Sequence, residues 1–420
     1  MVNKSVLHAS LINIFAGAIS GYNTGIVAGL TYPLIKCNLF DGPLSENDIA
    51  FYQGLFNSLI LVFAMFSSPI AVWFAGKVGL KIPLFVLAVI SILCPIALIM
   101  YDNYWYMTII RGVMGIAIGF ISALCPMYTN LTVGNEVKGK VATTLQIAIC
   151  TSICIAQVFN YFFTPAFTTT SCTPLTFMQY GIQLAFGAIF GILLLITLFW
   201  IPNVMPHSSS SNIPRKANNT QETVQSLFSV ANMKWLFFAL MLAVVNQFTG
   251  INGVIYYSPQ ILTEAGIENA LMVNILVVGV WNTLTVFIFM ALVDKLSRKM
   301  ILNISLAIMV VGSILLIVTF YITGYTGLAI GGVVMFILGF ETGPGPLFYV
   351  MASQDFPKDI MDKGLGLANV LLWVLNIVIS FVFPIVNSSF GPAITFIILA
   401  VIQVLCIVYF NIFKGESSKQ

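Results

Sequence analysis

NQFTGING, residues 246–253, interrupts a long apolar segment and continues into YYSP at residues 256–259. Amide side chains at the depth of a bilayer cost free energy unless they are hydrogen-bonded, so such a cluster is typical of a helix that faces a bundle interior or a wet cavity. The glycines and Pro259 also weaken a helix and let it expose backbone and amide groups. The stretch therefore predicts half of a binding site inside a bundle of membrane helices.

The composition places the whole chain in a membrane. Of its 420 residues, 59% are hydrophobic, 13% aromatic and only 7% charged, whereas charged residues make up about one quarter of soluble domains. Twelve apolar stretches have about the 20 residues that cross a bilayer. They lie at 7–33, 51–75, 82–101, 104–129, 140–163, 177–201, 234–264, 270–293, 299–321, 325–352, 362–386 and 391–413. The sequence predicts an all-α polytopic membrane protein with twelve transmembrane helices.

The basic residues predict how the spans are oriented. Those that follow the even-numbered spans or lie in the C-terminal tail are Lys77, Lys81, Lys138, Lys140, Arg215, Lys216, Lys234, Lys295, Arg298, Lys299, Lys358, Lys363, Lys414 and Lys419. Only Lys36 and Arg111 fall on the other side. Basic residues are in excess in cytoplasmic loops, so both termini are predicted to be cytoplasmic. The net charge of +3 then reports orientation, and the expected partner is the lipid bilayer rather than nucleic acid.

One polar stretch divides the chain in two. Residues 203–233 carry four consecutive serines with prolines and basic residues, the composition of a cytoplasmic linker. Six spans precede it in residues 1–202 and six follow in residues 234–413, with a short cytoplasmic tail at 414–420. The basic turns GKVGLK and DKLSRK follow spans two and eight. Their matched placement favours a duplicated six-helix unit, although ordinary cytoplasmic loops account for either turn alone.

Glu341 is the only acidic residue deep in a predicted span, and it precedes GPGP at residues 343–346, which cannot continue a regular helix. A carboxylate in this place can be structural and satisfied by a neighbouring helix. Ionisable groups inside a membrane more often serve function, however. No basic residue lies at comparable depth. We therefore expect Glu341 to accept hydrogen bonds from a neutral ligand or to be protonated.

Several amide side chains occupy the predicted spans. Gln146 and Gln157 are three helical turns and about 16 Å apart in span five, so only one of them can lie at the midplane. Gln247 and Asn252 point about 140° apart on a regular helix and converge only if Gly250 and Gly253 let span seven unwind. Spans eight and eleven add Asn282 and Asn376. An interhelical hydrogen bond explains any single amide equally well, but many amides with few charges suit a neutral polyhydroxylated ligand.

The cysteines and histidines offer no metal site in the predicted core. The seven cysteines show no metal-type spacing, and the only histidines, His8 and His207, lie outside that core. No nucleotide-binding loop is present either, so we expect neither a cofactor nor an enzyme. Cys37 and Cys172 lie in predicted outer loops and could form a disulfide or stay apart. Asn387-Ser388-Ser389 is a possible glycosylation site in a short outer loop.

Taken together, the motifs resemble those of the sugar porters of the major facilitator superfamily, and most of all the facilitative glucose transporters. The resemblance covers nearly the whole chain and is most specific in spans seven and ten. It is carried by GYNTG at 21–25, RGVMG at 111–115, PMY at 126–128, Gln146, AQ at 156–157, NQFTGIN with YYS, Asn282, DKLSRK and ETGPGP at 341–346. It implies the major facilitator fold, in which two six-helix halves rock about a central site.

The resemblance also implies which residues bind the sugar and which form gates. The substrate-binding positions are Gln146, Asn246, Gln247, Asn252, Asn282, Glu341, Tyr349 and Asn376. The gating positions are Tyr256 and Tyr257 in span seven and Gly343, Pro344, Gly345 and Pro346 in span ten. Asn246 replaces a glutamine of the family and Tyr349 replaces a common tryptophan. These two departures are expected to affect sugar selectivity and affinity.

The resemblance favours transport of a hexose, D-glucose first, without an ion. Proton-coupled relatives carry a carboxylate in the first span where this chain has Asn23, and an amide cannot titrate near neutral pH. Uniport is therefore expected. The alternatives are a proton-coupled symporter, for which Glu341 is the available carboxylate, and a sugar receptor that does not transport. The family implies the plasma membrane, and we expect a monomer.

The cytoplasmic charges of the family are reduced in this chain. The acidic residue after PMY is Leu131 here, the arginine that follows is Lys138, and the glutamate after span ten is Gln354. Leu80 replaces an arginine in the first basic turn. In the family these charges lock the outward-facing state through salt bridges. We therefore expect a weaker lock and an equilibrium shifted towards the inward-facing state.

Overall fold

A computed structural model describes residues 4–165, 173–206, 228–292, 295–322, 324–355 and 361–412. Within these residues the chain is helical and forms no strand. Twelve segments are long and apolar enough to cross a membrane, which confirms the predicted number of spans. Most of the predicted linker at 203–233 lies outside the described residues.

The helices keep the order of the predicted spans. The first six spans are Lys4–Cys37, Glu46–Val78, Lys81–Leu98, Tyr104–Thr132, Asn135–Phe163 and the pair Phe177–Ala185 with Gly187–Trp200. Span seven is Val230–Phe248 with Ile251–Glu264, and span eight is Ala270–Asn274, a π-helical turn at Ile275–Val280, and Trp281–Leu292. Span nine is Arg298–Tyr321, span ten is Thr326–Thr342 with Pro344–Asp355, span eleven is Met361–Phe390, and span twelve is Pro392–Ile412.

Most helices extend beyond the apolar stretches that predict them. The first span has 34 residues, or about 51 Å, against about 30 Å of hydrocarbon. The second span begins at Glu46 because the Ser45 hydroxyl accepts a hydrogen bond from the Asp48 N–H. Capping groups in the polar region set such helix ends, whereas hydropathy detects only the apolar part. The predicted boundaries of these helices are therefore short by several residues.

Spans seven and ten are broken where glycine and proline predict a break. Gly250 adopts φ +94°, a left-handed conformation that favours glycine, and separates the two helices of span seven. Gly343 separates the two helices of span ten. The π-helical turn in span eight was not predicted, because its sequence ILVVGV carries no local signal for it.

Glycines let neighbouring spans approach closely. A Cβ at Gly21 would lie 2.1 Å from the Ile149 carbonyl oxygen, so spans one and five meet backbone to backbone. A Cβ at Gly115 would lie 2.0 Å from the Ile60 carbonyl oxygen between spans four and two. Close backbone approach at small residues is the usual way for helices to associate in lipid, where no hydrophobic force drives them together. These contacts hold span one against span five and span two against span four.

Spans one to six and spans seven to twelve form two sets that contact each other. Cross-set contacts join span one to span seven, span two to span eleven, and span five to span eight. We call the end at which span one begins and span twelve ends the terminal end. The opposite end, with the turns at 38–45 and 99–103, is the distal end. The broken parts of spans seven and eight lie against the first set, where a site would need exposed polar groups.

Candidate substrate-binding site

A chain of amide side chains runs across the break in span seven. The Gln247 Nε2 donates to the Asn246 Oδ1 at 2.7 Å, and the Asn252 Nδ2 donates to the Gln247 Oε1 at 2.7 Å. The same Asn252 Nδ2 donates to the Asn376 Oδ1 of span eleven at 2.9 Å. Gln247 and Asn252 thus converge as predicted, because the left-handed Gly250 turns the second helix relative to the first. Four predicted substrate-binding residues lie in one network.

Asn246 connects the two broken helices. Its Nδ2 donates to the carbonyl oxygens of Pro344 at 2.8 Å and Gly345 at 3.2 Å. Because its Oδ1 also accepts from Gln247, both N–H groups and the oxygen of this amide are engaged. In this conformation Asn246 therefore fixes the orientation of Gln247 and holds span seven against the break in span ten. No sequence signal showed that the exposed carbonyls of span ten would be its partners.

Glu341 lies at the end of the first helix of span ten and faces span five of the other set. It is 4% exposed, and the Gln146 Nε2 lies 3.5 Å from its Oε2. The same Nε2 lies 3.5 Å from the Cys150 sulfur. Among the described residues the one ion pair is Lys36–Glu46, so no described cation compensates Glu341. The carboxylate is held by a long hydrogen bond and can still accept from a ligand.

Asn282 is a fully buried amide without a partner. Its exposure is 0%, and neither its Nδ2 nor its Oδ1 has a hydrogen-bond partner in the described part of the chain. The indole N–H of Trp373 in span eleven is likewise buried and unpaired. Most buried polar groups are hydrogen-bonded, so each exception calls for an explanation, such as a ligand or water. Asn282 is the second residue after the π-helical turn, a distortion that often marks functional sites.

Gln157 forms a separate cluster nearer the distal end. Its Oε1 accepts from the Asn274 Nδ2 of span eight at 2.8 Å and from the Asn160 Nδ2 at 3.2 Å. Its Nε2 donates to the Gly25 carbonyl at 3.2 Å. The two glutamines of span five thus lie in different clusters, because Gln146 meets Glu341 while Gln157 bonds spans one and eight.

The predicted gate residues of span seven lie between the two sets. The Tyr257 hydroxyl accepts from the Asn57 Nδ2 of span two at 3.0 Å and donates to the Ser380 carbonyl of span eleven at 3.0 Å. Tyr256 is 5% exposed and also packs in this region. The Tyr349 side chain, another predicted substrate contact, lies outside the described part of the chain.

The distal end is closed by direct contacts between the two sets. The Ser388 hydroxyl donates to the Asn47 Oδ1 at 2.6 Å. The backbone of span two reaches that of span eleven, since a Cβ at Gly54 would lie 2.5 Å from the Phe381 carbonyl oxygen. Together with the Tyr257 bond to span two, these contacts hold the two sets against each other at the distal end.

Arg111 is a buried cation that the sequence analysis placed on the outer side without a role. It is 2% exposed and donates to the carbonyl oxygens of Phe56 at 3.2 Å and Asn23 at 3.1 Å. Its guanidinium lies 5.1 Å from the centre of the Phe56 ring. The Asn23 amide itself donates to the Ile19 carbonyl at 2.8 Å. Backbone oxygens and a ring face, rather than a carboxylate, thus solvate this arginine.

Two secondary expectations concern the outer loops. Cys37 is disulfide-bonded, and its predicted partner Cys172 lies outside the described residues. Asn387, the first residue of the glycosylation sequence, is in the helix of span eleven and 7% exposed, with its Nδ2 bonded to Glu264. The expectation that Asn387 lies in a short outer loop is therefore wrong, because the residue is part of a helix. A buried amide that is already hydrogen-bonded is also a poor acceptor for a glycan.

Comparisons with known proteins agree with this architecture. The family model described as sugar (and other) transporter matches residues 9–205 and 207–420. The chain is 26% identical to the probable metabolite transport protein CsbC of Bacillus subtilis (strain 168), over 93% of this chain and 87% of that protein. It is 24% identical to the glucose transporter GlcP of Staphylococcus epidermidis (strain ATCC 12228 / FDA PCI 1200), over 94% and 88% of the two chains.

A solved structure shares the fold along its whole length. The crystal structure of a D-xylose-proton symporter matches with a TM-score of 0.84 and 22% identity, covering 99% of this chain and 99% of the other. At this identity the similarity shows the fold alone. It confirms the predicted twelve-helix fold class.

Proposed function

We propose that this chain, which belongs to the sugar (and other) transporter family and has the major facilitator fold, moves a hexose across a membrane by facilitated diffusion. One observation carries the proposal above all. The broken spans seven and ten bring amides and a single carboxylate together against the first set, and the Asn282 amide of span eight is buried without a partner among the described residues. Such a site lacks the hydrogen bonds that a polar ligand would supply.

The chemistry of the site favours a neutral, polyhydroxylated ligand. Amides donate and accept, as hydroxyls do, while Glu341 accepts only or, if protonated, also donates. Trp373, 9% exposed, offers an aromatic face and an unpaired N–H. The similarity to the glucose transporter GlcP supports D-glucose as the first sugar to test.

The proposed roles follow from these contacts. Hydrogen bonds to the sugar come from Gln146, Gln247, Asn252, Asn282, Glu341 and Asn376. Asn246 positions Gln247, and Tyr349 stays a proposed contact through its place in the motif. The proposed gates are Tyr256 and Tyr257 in span seven and the break at 343–346 in span ten. Spans seven and ten bend while the two halves, residues 1–202 and 234–413, rock about the site. We place both termini in the cytoplasm, the linker at 203–233 on the same side, and a monomer in the plasma membrane.

The surroundings of Arg111 support uniport rather than proton symport. A symporter of this fold needs a group that gains and loses a proton during the cycle. Beside Arg111 stand the backbone oxygens of Phe56 and Asn23, and neither can titrate. The competing proposal of proton symport draws on the similarity to a D-xylose-proton symporter and on Glu341 as the carboxylate in the site.

Counterflow and ion dependence test transport and its coupling. In liposomes containing the purified protein and preloaded with unlabelled D-glucose, labelled D-glucose is expected to accumulate transiently without any ion gradient. Net uptake is expected to stop when the D-glucose concentrations on the two sides are equal, and a protonophore should not change its rate. If D-glucose accumulated above its outside concentration and a protonophore abolished this accumulation, the protein would be a symporter and not a uniporter. Binding without counterflow would replace transport by a receptor function.

The resting protein is expected to face inward. With the terminal end cytoplasmic, the closed distal end is extracellular, and no ion pair among the described residues locks the two sets at the terminal end. The family's acidic position there is Leu131, which is 37% exposed. The first basic turn is held by neutral bonds, since the Asn203 Oδ1 accepts from the Lys81 N–H at 3.0 Å.

A cysteine at Thr143 reports this state. Thr143 lies one turn from Gln146 on the same helical face towards the terminal end, so it borders an inward-open path. We expect Thr143→Cys to react with a cytoplasmic thiol reagent without sugar, and saturating D-glucose to change the rate. Met100→Cys, 73% exposed at the distal end, controls for sidedness and should not respond to sugar. An unreactive Thr143→Cys in sugar-free protein would show a mainly outward-facing resting state.

A further inference from the structure

A cavity lies at the distal end, between the two sets and away from the amide network of span seven. Its volume is about 490 Å³, within the range of cavities that bind small molecules. Polar lining residues from the first set include Glu46 and Gln53, and those from the second set are Gln260, Thr263, Glu264, Asn387 and Ser388. Tyr32, Ile49 and Phe320 add apolar surface. The cavity is thus amphipathic, as a sugar site is.

Three amide side chains around this cavity are not fully hydrogen-bonded within the described part of the chain. Gln53 is 3% exposed, and its side chain makes no hydrogen bond with any described residue. Asn387 is 7% exposed, and its Oδ1 is buried without a partner. The Oε1 of Gln260 is buried and unpaired as well. Three amides therefore keep unused hydrogen-bonding capacity around one cavity, which calls for a ligand in the same way as Asn282 does.

The carboxylates of the cavity are already engaged. Glu264 accepts from the Gln260 Nε2 at 3.2 Å and from the Asn387 Nδ2 at 3.2 Å. Glu46 pairs with the Lys36 ammonium at 2.8 Å and accepts from the Tyr32 hydroxyl at 3.1 Å. The groups left without partners are therefore neutral amides rather than bare charges. Gln53 can donate and accept, and the unpaired oxygens of Gln260 and Asn387 accept, so the hydroxyl groups of a sugar can satisfy all three.

We infer that the distal cavity is a second, outer sugar site, occupied while the distal end is closed. The inference rests on the proposed function for the identity of the ligand. A sugar there would bridge Gln53 of span two and Asn387 of span eleven, two spans that must separate before the distal end opens. A ligand that binds only the closed form stabilises that form. A high concentration of sugar on the distal side should therefore hold the protein in the inward-facing state and slow its return to the outward-facing state.

The test uses a cysteine inside the cavity. Thr263 lines it, and among the described residues its hydroxyl bonds only the Pro259 carbonyl of its own helix, at 2.8 Å, so Thr263→Cys is a mild change. In purified protein in detergent, D-glucose is expected to slow the reaction of this cysteine with a maleimide by about tenfold at about ten times the Kd, as simple occupancy requires. Met100→Cys serves as the matched distal control and should react at the same rate with or without sugar.

Second substitutions separate the outer site from the central one. Gln247→Ala, in the central network, should leave the protection of Thr263→Cys intact. Gln53→Leu, which keeps the size of the side chain but removes its amide, should abolish the protection while D-glucose counterflow at low concentration persists. That counterflow also shows that the Gln53 variant is folded. Protection that disappears with Gln247→Ala instead would overturn the outer site, because the central site would then cause the effect through conformation.

The remaining outcomes are also decisive. Protection by sodium or calcium chloride, without protection by D-glucose, would overturn the sugar assignment in favour of a cation. Intact counterflow with no protection of Thr263→Cys by D-glucose, D-xylose or D-galactose would overturn the outer site and leave the proposed transport standing. Protection without any counterflow would support the outer site while overturning the transport function.

Discussion

Replacing Glu341 by alanine is expected to lower D-glucose counterflow by at least about tenfold. Glu341 is 4% exposed, ends the first helix of span ten and has only a long bond to Gln146. Its carboxylate oxygens can therefore accept hydrogen bonds from the ligand. Hydrogen bonds to a charged group contribute about 1.5–3 kcal/mol, which corresponds to about a ten- to hundredfold change in affinity. Counterflow at sugar concentrations below saturation measures this loss directly.

Glu341→Gln is the matched control, because it keeps the length and hydrogen bonding of the side chain while removing the charge. If Glu341 acts as a hydrogen-bond partner, Glu341→Gln should retain much of the counterflow that Glu341→Ala loses. Gln247→Ala should match Glu341→Ala, since Gln247 links Asn246 to Asn252 across the break. Full activity of both alanine variants would mean that sugar passes elsewhere. If the wild-type protein accumulated D-glucose and Glu341→Gln lost this accumulation, Glu341 would instead be assigned to proton coupling.

The parts of this site that the sequence predicts are those that depend on local backbone chemistry. Gly250 can adopt a left-handed conformation at little cost, and Pro344 cannot donate to a helix, so breaks at these positions follow from single residues. Once Gly250 breaks span seven, the meeting of Gln247 and Asn252 is a matter of geometry. The twelve spans follow in the same way, because burial in hydrocarbon leaves a strong signal in composition.

The parts that could not be predicted depend on which helices become neighbours. Asn246 bonds carbonyls of span ten, and Gln157 bonds Asn274 of span eight, although both pairs are far apart in the sequence. An amide in the sequence does not show whether it will bond a neighbouring helix or a ligand. In the structure Gln157 is hydrogen-bonded to neighbouring helices, whereas Asn282 has no partner among the described residues. The burial of Arg111 among backbone oxygens is a similar consequence of packing.

Replacing Gly54 by valine is expected to open the distal end. A Cβ at this position would lie 2.5 Å from the Phe381 carbonyl oxygen, and a backbone oxygen cannot move aside unless spans two and eleven separate. Overpacking of this kind costs about 1–3 kcal/mol, which shifts a two-state equilibrium by about 5- to 150-fold. Since the clash exists only in the distally closed form, the substitution should favour the outward-facing state and slow counterflow, which requires both states.

A buried serine can report this shift. Ser380 is 0% exposed and its hydroxyl donates to Asn376 at 3.2 Å, so Ser380→Cys lies beside the amide network, behind the distal closure. In an otherwise unchanged protein this cysteine should resist an extracellular maleimide, and Gly54→Val should make it reactive while slowing the labelling of Thr143→Cys from the cytoplasm. Gly366→Val in span eleven is the matched control, because a Cβ there meets nothing within 4 Å. It should change neither rate. If Gly54→Val behaved like Gly366→Val, the contact between spans two and eleven would not hold the distal end closed, and the bond between Asn57 and Tyr257 would become the next barrier to test.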